Sequence, residues 1–440
     1  MRKNGTVYHK EECILLMADI NKIKVLSVCT SDVYGGAARA AYRIHEGVHS
    51  LGIDSRMFVK NKGSNDVFVH ALSEFVPNNP IFNALDWCVM KAQNQIQHAR
   101  WQPYQGTKQN YYLSDMRGVG LHGVLQKLDY DVLHLHWFNN RFLDIRDLKE
   151  VHKPIVWTLH DSWAFSGVCH LPMDCRLYET HCGLCPMLGS NDERDLAYKV
   201  FEQKFAVYKD IDLHIVTPSR WLAECAKCSE LLGRFPIMVI PNCIDTEVYQ
   251  PMNKQEMATL FGLNPDKKYL LFGAMQAMKD RNKGFDLLLG ALQRLKDIDA
   301  ELIVYGTDAD LSKYEISIPV HSLGYIRGDK QMAMLYNAAD VMIVPSRSEN
   351  LSNTIMESMS CGTPVVAFNI GGNSDMINHE QNGYLAKEND CMELANGIEW
   401  CVNQKINKEL GKAAREKVLN NYTITKVSKQ YQELYSKLCR

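Results

Sequence analysis

Short apolar runs, each followed by a polar turn and then by apolar residues at helical spacing, recur along this chain and leave few folds open to it. The first is Ile23 to Cys29. Behind it come a polar, glycine-bearing turn from Thr30 to Gly36 and then Ala37, Ala41, Ile44, Val48 and Leu51, spaced as one face of a helix. Similar runs lie at Ser55 to Val59, Asp131 to His136, Pro154 to His160 and Asp212 to Thr217. A second series comprises Tyr269 to Gly273, Glu301 to Gly306, Asp340 to Val344 and Pro364 to Phe368. Rich in Val, Ile and Leu, these runs predict strands buried on both faces, the signature of a parallel sheet covered by helices.

The fold class expected is therefore α/β, with two Rossmann-like doubly wound domains. Residues 1–22 are polar and form a tail, 23–240 a first domain and 241–420 a second. The junction falls at Pro236 to Pro251, where Pro236, Pro241 and Pro251 interrupt regular structure. Val427, Tyr431, Leu434, Tyr435 and Leu438 make the apolar stripe of a last helix, within 421–440, that returns to the first domain. Two such sheets place the carboxyl ends of their strands toward a cleft, where folds of this kind bind ligands.

Composition narrows the function. Forty-nine Lys and Arg balance 51 Asp and Glu, so the chain lacks the positive excess that non-specific nucleic-acid binding requires. No stretch is as long and apolar as a membrane span, and a cytoplasmic protein is expected. From Val76 to Tyr112, Phe82, Leu85, Trp87, Val89, Met90, Trp101, Tyr104, Tyr111 and Tyr112 stand among Lys91, His98, Arg100 and Lys108. Such a segment either packs on the domain core or forms a peripheral contact with the inner face of a membrane.

The richest segment runs from Val344 to Ala367. It reads strand, loop, helix, strand, with Glu349 in the loop and Glu357 on the helix, seven residues between them. The helix begins near Ser352, so Leu351, Ser352 and Asn353 stand at its positive end, a seat for phosphate. Carboxylates beside such a seat suit hydroxyl-rich groups, because they accept hydrogen bonds from a ribose or a sugar.

With Glu349-x7-Glu357, Cys361-Gly362-Thr363-Pro364 and Gly371-Gly372, the sequence resembles glycosyltransferase family 4 of the bacterial polysaccharide-biosynthesis type. Gly35-Gly36 after the first strand, His160-Asp161, Pro218-Ser219, Pro241-Asn242-Cys243-Ile244-Asp245 and Lys283-Gly284 extend the resemblance from about Ile23 to the carboxyl terminus. It implies a retaining, nucleotide-sugar-dependent enzyme of the GT-B fold. By the same resemblance Glu349 contacts the transferred sugar and the diphosphate region, Glu357 the ribose, and Lys283 with a nearby Arg the diphosphate. Gly35 and Gly36 approach the donor from the first domain, and His160 stands beside the sugar on the acceptor side. The family commonly carries an Arg soon after the strand ending at Gly273, where this chain has Ala274-Met275-Gln276; Arg281 is the substitute.

Each residue has a plainer reading. A lone Glu on a helix is ordinarily solvated, Gly-Gly pairs ordinarily serve turns, and Lys283 and Arg281 could be loop cations neutralised by Asp280. His134, His136 and His160 all end strands, where a histidine is commonly a hydrogen-bonded core residue; His160 is preferred because Asp161 adjoins it, and His136 stays open.

Fourteen cysteines without a secretory leader predict thiols. Cys169-x5-Cys175-x6-Cys182-x2-Cys185 is the exception: four soft donors in one Gly- and Pro-bearing loop suit a structural Zn2+. Idle thiols are the alternative. Cys225 and Cys228 have helical spacing.

The resulting expectation is a glycosyltransferase moving a hexosyl group from a nucleotide-diphosphate sugar to a hydroxyl of a growing, lipid-linked glycan. No catalytic cofactor is expected, since Lys283, Arg281 and helix-terminal amides would meet the leaving-group charge without Mg2+ or Mn2+. A sugar-nucleotide epimerase of the same fold and a non-catalytic, zinc-stiffened scaffold are the alternatives. A nicotinamide-dependent oxidoreductase would need Gly-x-Gly-x-x-Gly, which Gly35-Gly36-Ala37-Ala38-Arg39-Ala40 does not supply.

Overall fold

A computed structural model describes residues 23–75, 91–92, 95–96, 98–104, 113–115, 118, 121–273, 278–295 and 298–440. The expected tail at 1–22, and Phe82, Leu85, Trp87, Val89, Met90, Lys108, Tyr111 and Tyr112 of the amphipathic segment, lie outside the described residues. The chain divides into two compact units. One comprises residues 1–218, 222–240 and 428–440; the other comprises 219–221 and 241–427.

The first unit is built on a seven-stranded sheet. Its strands are β1 (Lys24–Ser31), β2 (Asp54–Asn61), β3 (Val69–Ala71), β4 (Val132–Leu135), β5 (Ile155–Thr158), β6 (Leu213–Thr217) and β7 (Ile237–Val239). Their order is β3-β2-β1-β4-β5-β6-β7 and every pairing is parallel. Helix α1 (Gly36–Ser50) follows β1 and buries Ala38, Ala41, Ile44 and Val48. Ala37, expected on the apolar face, is only half-buried, and Ala40 is buried instead.

The second unit carries a six-stranded parallel sheet, β8 (Tyr269–Gly273), β9 (Glu301–Tyr305), β10 (Val320–Ser322), β11 (Val341–Val344), β12 (Val365–Phe368) and β13 (Gly383–Ala386), in the order β10-β9-β8-β11-β12-β13. Alternate side chains enter two cores. Tyr269, Leu271, Ile303, Met342, Val344, Val365 and Ala367 fill one, and Leu270, Phe272, Leu302, Val304, Val341, Ile343, Val366 and Phe368 the other. Burial on both faces is the physical reason these strands show unbroken apolar runs rather than alternation.

The strands absent from the sequence expectation are β3, β7, β10 and β13, which are the four sheet edges. An edge strand pairs on one side only. Three of the four are three residues long, and Met238 and Val239 of β7 are exposed. β7 also lies inside the junction expected to lack regular structure. Pro236 immediately precedes the strand, where a missing N–H costs no ladder bond.

Helix α2 (Asn353–Ser360) links β11 to β12, and helix α3 (Ile424–Leu438) ends the chain. Tyr431 and Tyr435 of α3 are fully buried in the first unit.

Candidate active site

In an open parallel sheet, ligands bind beyond the carboxyl ends of the strands where the strand order reverses. In the second unit that point lies between β8 and β11. A small pocket opens there, lined by Gly273, Lys283, Ser346, Glu349, Ser352 and Thr354. Two loops carry these groups. Lys283 belongs to a single 3-10 turn, Arg281–Lys283, begun by the Asp280 carboxylate accepting from the Asn282 N–H at 2.9 Å. Glu349 lies in the loop between β11 and α2.

The loops are stitched together by groups on both sides. Buried Asn282 donates its side-chain amide to the Ser348 carbonyl at 2.9 Å, and the Arg347 N–H donates to the Asn282 carbonyl at 2.8 Å. Arg347 reaches the Arg281 carbonyl at 2.7 Å and clasps Asp286 at 2.9 and 2.6 Å. Gly284 has φ +68°, and a Cβ there would stand 1.9 Å from the Pro345 carbonyl oxygen. Only glycine permits both the left-handed backbone and the close approach.

Across this seam Lys283 Nζ donates to Glu349 Oε1 at 2.8 Å. Burial pushes the ammonium pKa down, but the adjoining carboxylate outweighs it, so Lys283 is held above the ordinary lysine value. Lys283 is thus neutralised chiefly by Glu349, while Asp280, the neutraliser considered from sequence, caps the turn and adds a smaller attraction. Glu349 is fixed from behind. A Cβ on Gly371 (φ +49°) would lie 1.8 Å from the Glu349 carbonyl oxygen, and one on Gly372 1.9 Å from that of Asn350. Ser219 Oγ donates to Asn350 Oδ1 at 2.7 Å.

Ser352 caps α2 through its backbone, without a side-chain bond, and Leu351 and Ser352 are buried. Asn353 opens the helix, its side-chain oxygen 3.5 Å from the amide of Asn242. Glu357 is 2% exposed, and its Oε2 accepts from Tyr336 Oη at 3.1 Å. Cys361-Gly362-Thr363-Pro364 closes the helix. Gly362 takes φ +77°, and Thr363 Oγ1 donates to the Tyr336 carbonyl at 2.8 Å. Arg281 is exposed, and residues 274–277, where the family's Arg would stand, lie outside the described residues.

The first unit supplies its own reversal point between β1 and β4. Gly35 takes φ +98° at the start of α1, and Gly36 is exposed in its first turn. The turn before them is anchored by buried Asp32, which accepts from the N–H groups of Gly63 at 2.8 Å and Ser64 at 2.9 Å. Burial raises the Asp32 pKa, but these donors outweigh it and hold it below the usual carboxylate value.

His160 follows β5, and its Nε2 lies 3.1 Å from His136 Nδ1. The Asp161 carboxylate is engaged elsewhere: it meets His170 Nδ1 at 2.6 Å, Trp137 Nε1 at 2.9 Å and the Trp163 N–H at 2.9 Å. Asp161 therefore acts on His160 through its charge and not through a hydrogen bond, because successive residues after a strand point in different directions. Sequence spacing gave no sign of the Asp161–His170 pair. The His136–His160 contact had one: both residues end neighbouring strands of the sheet.

Cys169, Cys175, Cys182 and Cys185 are free thiols, with Cys169, Cys182 and Cys185 buried. They are close enough for Cys169 to raise the pKa of Cys182, and for Cys175 and Cys185 to raise that of Cys169. Burial pushes Cys169 and Cys182 up to about 12 and Cys185 to about 11. Fully buried Lys204 stands beside them. It donates to the carbonyls of Trp163, Ser166 and Gly167, the latter two at 3.0 Å, and lies 3.7 Å from the centre of the Trp163 ring. Burial lowers its pKa to about 7. Thiolates are the donors a structural zinc takes, but among the described residues no three His, Cys, Asp or Glu side chains are drawn together as a ligand set.

Two doubly wound parallel units in one chain, the second with a cation, a carboxylate and a helix terminus at its reversal point, define a GT-B architecture. Comparison with known proteins agrees. A family described as Glycosyltransferase Family 4 matches residues 34–248, and one described as Glycosyl transferases group 1 matches residues 266–404. Two glycosyltransferase family models, of family 4 and of group 1, thus match successive stretches of this chain.

Similar to it are the N-acetyl-alpha-D-glucosaminyl L-malate synthase of Bacillus anthracis, 23% identical over 46% of this chain and 54% of that one, and the UDP-Gal:alpha-D-GlcNAc-diphosphoundecaprenol alpha-1,3-galactosyltransferase of Escherichia coli, 28% identical over 45% and 54%. The chain thus spans about half the length of these two relatives. The fold is also that of Anabaena HepE, solved in complex with UDP-glucose, with a TM-score of 0.61, 16% identity and coverage of 94% of this chain and 100% of that one. Among the described residues no helix is long and apolar enough to cross a membrane.

Proposed function

We propose that the protein is a retaining hexosyltransferase that takes its sugar from a nucleotide-diphosphate donor and delivers it to a hydroxyl of a growing, lipid-linked surface glycan. The observation that carries this reading is the Lys283–Glu349 pair at the strand-order reversal, beside the first turn of α2. An incoming diphosphate competes with Glu349 for the ammonium. Glu349 is then released to accept hydrogen bonds from sugar hydroxyls while its charge still keeps Lys283 protonated. The α2 amides add positive potential at the same edge, and Arg281 supplies a second cation from the surface. Glu357 receives the ribose hydroxyls, and Gly35 and Gly36 leave room for the donor. UDP is the base favoured, since the Escherichia coli relative is named for UDP-Gal and the Anabaena protein was solved with UDP-glucose.

In the reaction the bond from the anomeric carbon to the donor phosphate oxygen breaks as a bond to the acceptor oxygen forms on the same face. The acceptor's proton passes to the departing phosphate oxygen. Lys283 and the helix amides stabilise the charge growing on the nucleoside diphosphate, a positioned electrostatic contribution in a partly dry site. His160 contacts the sugar on the acceptor side. No residue among these requires a divalent metal, and none is proposed for catalysis. The four cysteines are proposed to hold a structural zinc, and the segment 76–112 to make a peripheral contact at the inner face of the membrane.

The experiment is a panel of UDP-, GDP- and ADP-sugars incubated with the protein, with and without lipid-linked saccharide acceptors. Acceptor-dependent release of nucleoside diphosphate, with the donor's anomeric configuration kept in the product NMR spectrum, supports the reading. An isomerised donor without transfer identifies an epimerase, and no turnover of any donor leaves the scaffold.

A further inference from the structure

Three histidines of the first unit stand in a line. His134 is enclosed: its Nδ1 meets Tyr435 Oη at 2.7 Å and its Nε2 meets Thr158 Oγ1 at 2.8 Å, which in turn lies 3.0 Å from Tyr431 Oη. The rings of His134 and His136 are 4.1 Å apart between centres. His136, 1% exposed, places Nδ1 3.1 Å from His160 Nε2. Its own Nε2 is buried with no hydrogen-bond partner among the described residues.

Burial disfavours the charged form of all three, lowering His134 to about 3, His160 to about 4 and His136 well below its ordinary value. Each ring is neutral near neutrality, with one N–H and one lone pair. In the His136–His160 contact one nitrogen must donate. Were it His160 Nε2, the proton of His136 would have to sit on its own Nε2, as a buried N–H without an acceptor, which folded proteins rarely leave. Donation by His136 Nδ1 leaves only a lone pair at that position.

We infer that His136 is a positioning residue, which donates its Nδ1–H to His160 Nε2 and thereby fixes His160 as the Nδ1–H tautomer. Both nitrogens of His160 are then assigned. The ring then has no basic nitrogen left, so it does not remove the acceptor's proton. This last step rests on the glycosyltransferase reading; the tautomer does not.

The test uses the full chain labelled with 15N-histidine, in wild type and in His136→Asn and His136→Phe, with His160→Gln identifying the His160 signals. Asparagine places an amide N–H where the His136 Nδ1–H stands; phenylalanine keeps the ring and removes the donor. The expected spectrum has His160 protonated on Nδ1 in wild type and His136→Asn, and mixed tautomers in His136→Phe. With a donor the enzyme turns over, His136→Phe lowers kcat/KM about tenfold, the scale of one lost hydrogen bond. His136→Asn stays within about twofold on the same reasoning, although it loses more packing and melts lower. Wild-type His160 protonated on Nε2 overturns the inference, as does activity in the two variants that follows their melting temperatures. If no donor is turned over, the functional reading fails while the wild-type spectrum still decides the tautomer.

Discussion

Lys283 Nζ and Glu349 Oε1 lie 2.8 Å apart although 66 residues separate them in sequence. Neither side chain sits there by its own preference. Gly284 brings the two loops together against the Pro345 carbonyl, and Gly371 and Gly372, on a third loop, press against the carbonyls of Glu349 and Asn350 from behind. What sequence presents as two unrelated pairs, Lys283-Gly284 and Gly371-Gly372, is one device that sets a cation and a carboxylate at hydrogen-bond distance.

Removing the cation is expected to act on turnover. Lys283→Ala lowers kcat by about two to three orders of magnitude, the scale for losing one preorganised donor to developing charge. Arg281→Ala is milder, because Arg281 is exposed and its cation is screened by solvent. Glu349→Ala also lowers turnover, whereas Glu357→Ala chiefly raises the donor KM. Steady-state kinetics with an accepted donor check all four; a Lys283→Ala enzyme with normal kcat would remove the assignment.

The glycines give a prediction independent of any donor. Gly284→Ala and Gly371→Ala each force a Cβ into a carbonyl oxygen from a left-handed backbone, so loops must move. Each should cost about 1–3 kcal/mol of stability and weaken donor binding as well. Gly35→Ala, with φ +98° and nothing within 4 Å of its Cβ, meets strain without a clash and should cost less than either. Equal melting temperatures for the three variants would contradict this ordering.

The interior of each sheet was legible because burial on both faces writes unbroken apolar runs into sequence, as from Tyr269 to Gly273 and from Val341 to Val344. The edges were not: Ile237–Val239 and Val320–Ser322 are too short and too exposed to carry a period. In the candidate site, Glu349, Glu357 and Lys283 could be named from spacing and resemblance. Their partners could not. Tyr336 meets Glu357, and Asn282 meets the Ser348 carbonyl, through side chains that only the tertiary fold brings together. Asp161 misled for the same reason, since its neighbour in sequence is not its hydrogen-bond partner.

Acid should unfold the first unit early. His134 and His45 are buried with pKa values of about 3 and about 4, and His136 lies well below its ordinary value, all because burial disfavours the charged ring. A histidine in the unfolded chain titrates near 6.5. Below that pH the unfolded state binds more protons than the native one, so stability falls as pH falls, until the folded values are reached. Each such group contributes roughly 1.4 kcal/mol per pH unit in that window. Three together erode an amount comparable to the whole stability of a domain, about 5–15 kcal/mol, between about pH 6 and 4. Circular dichroism across that range should show a steep transition, shallower in His45→Gln. A fold unchanged to pH 4 would count against the buried neutral histidines.

The cysteine loop can be decided by composition alone. Four thiolates around one Zn2+ leave two excess negative charges, and a buried dianion needs a cation nearby. Lys204 is that cation in position: fully buried, its ammonium held by the Trp163, Ser166 and Gly167 carbonyls, with Cys169 and Cys182 raising a pKa that burial lowers to about 7. Protein purified without chelator should carry about one zinc per chain, on the stoichiometry of a four-thiolate structural site. Cys182→Ser or Cys185→Ser should lose it and reduce stability more than donor affinity. Lys204→Met, which removes the counter-charge and leaves three carbonyls without their donor, should lower both zinc content and melting temperature. Because the proposed metal stiffens a loop and takes no part in transfer, brief chelation should leave turnover intact while heat resistance declines. Metal-free protein by elemental analysis, with Lys204→Met and the cysteine variants as stable as wild type, would eliminate the zinc site.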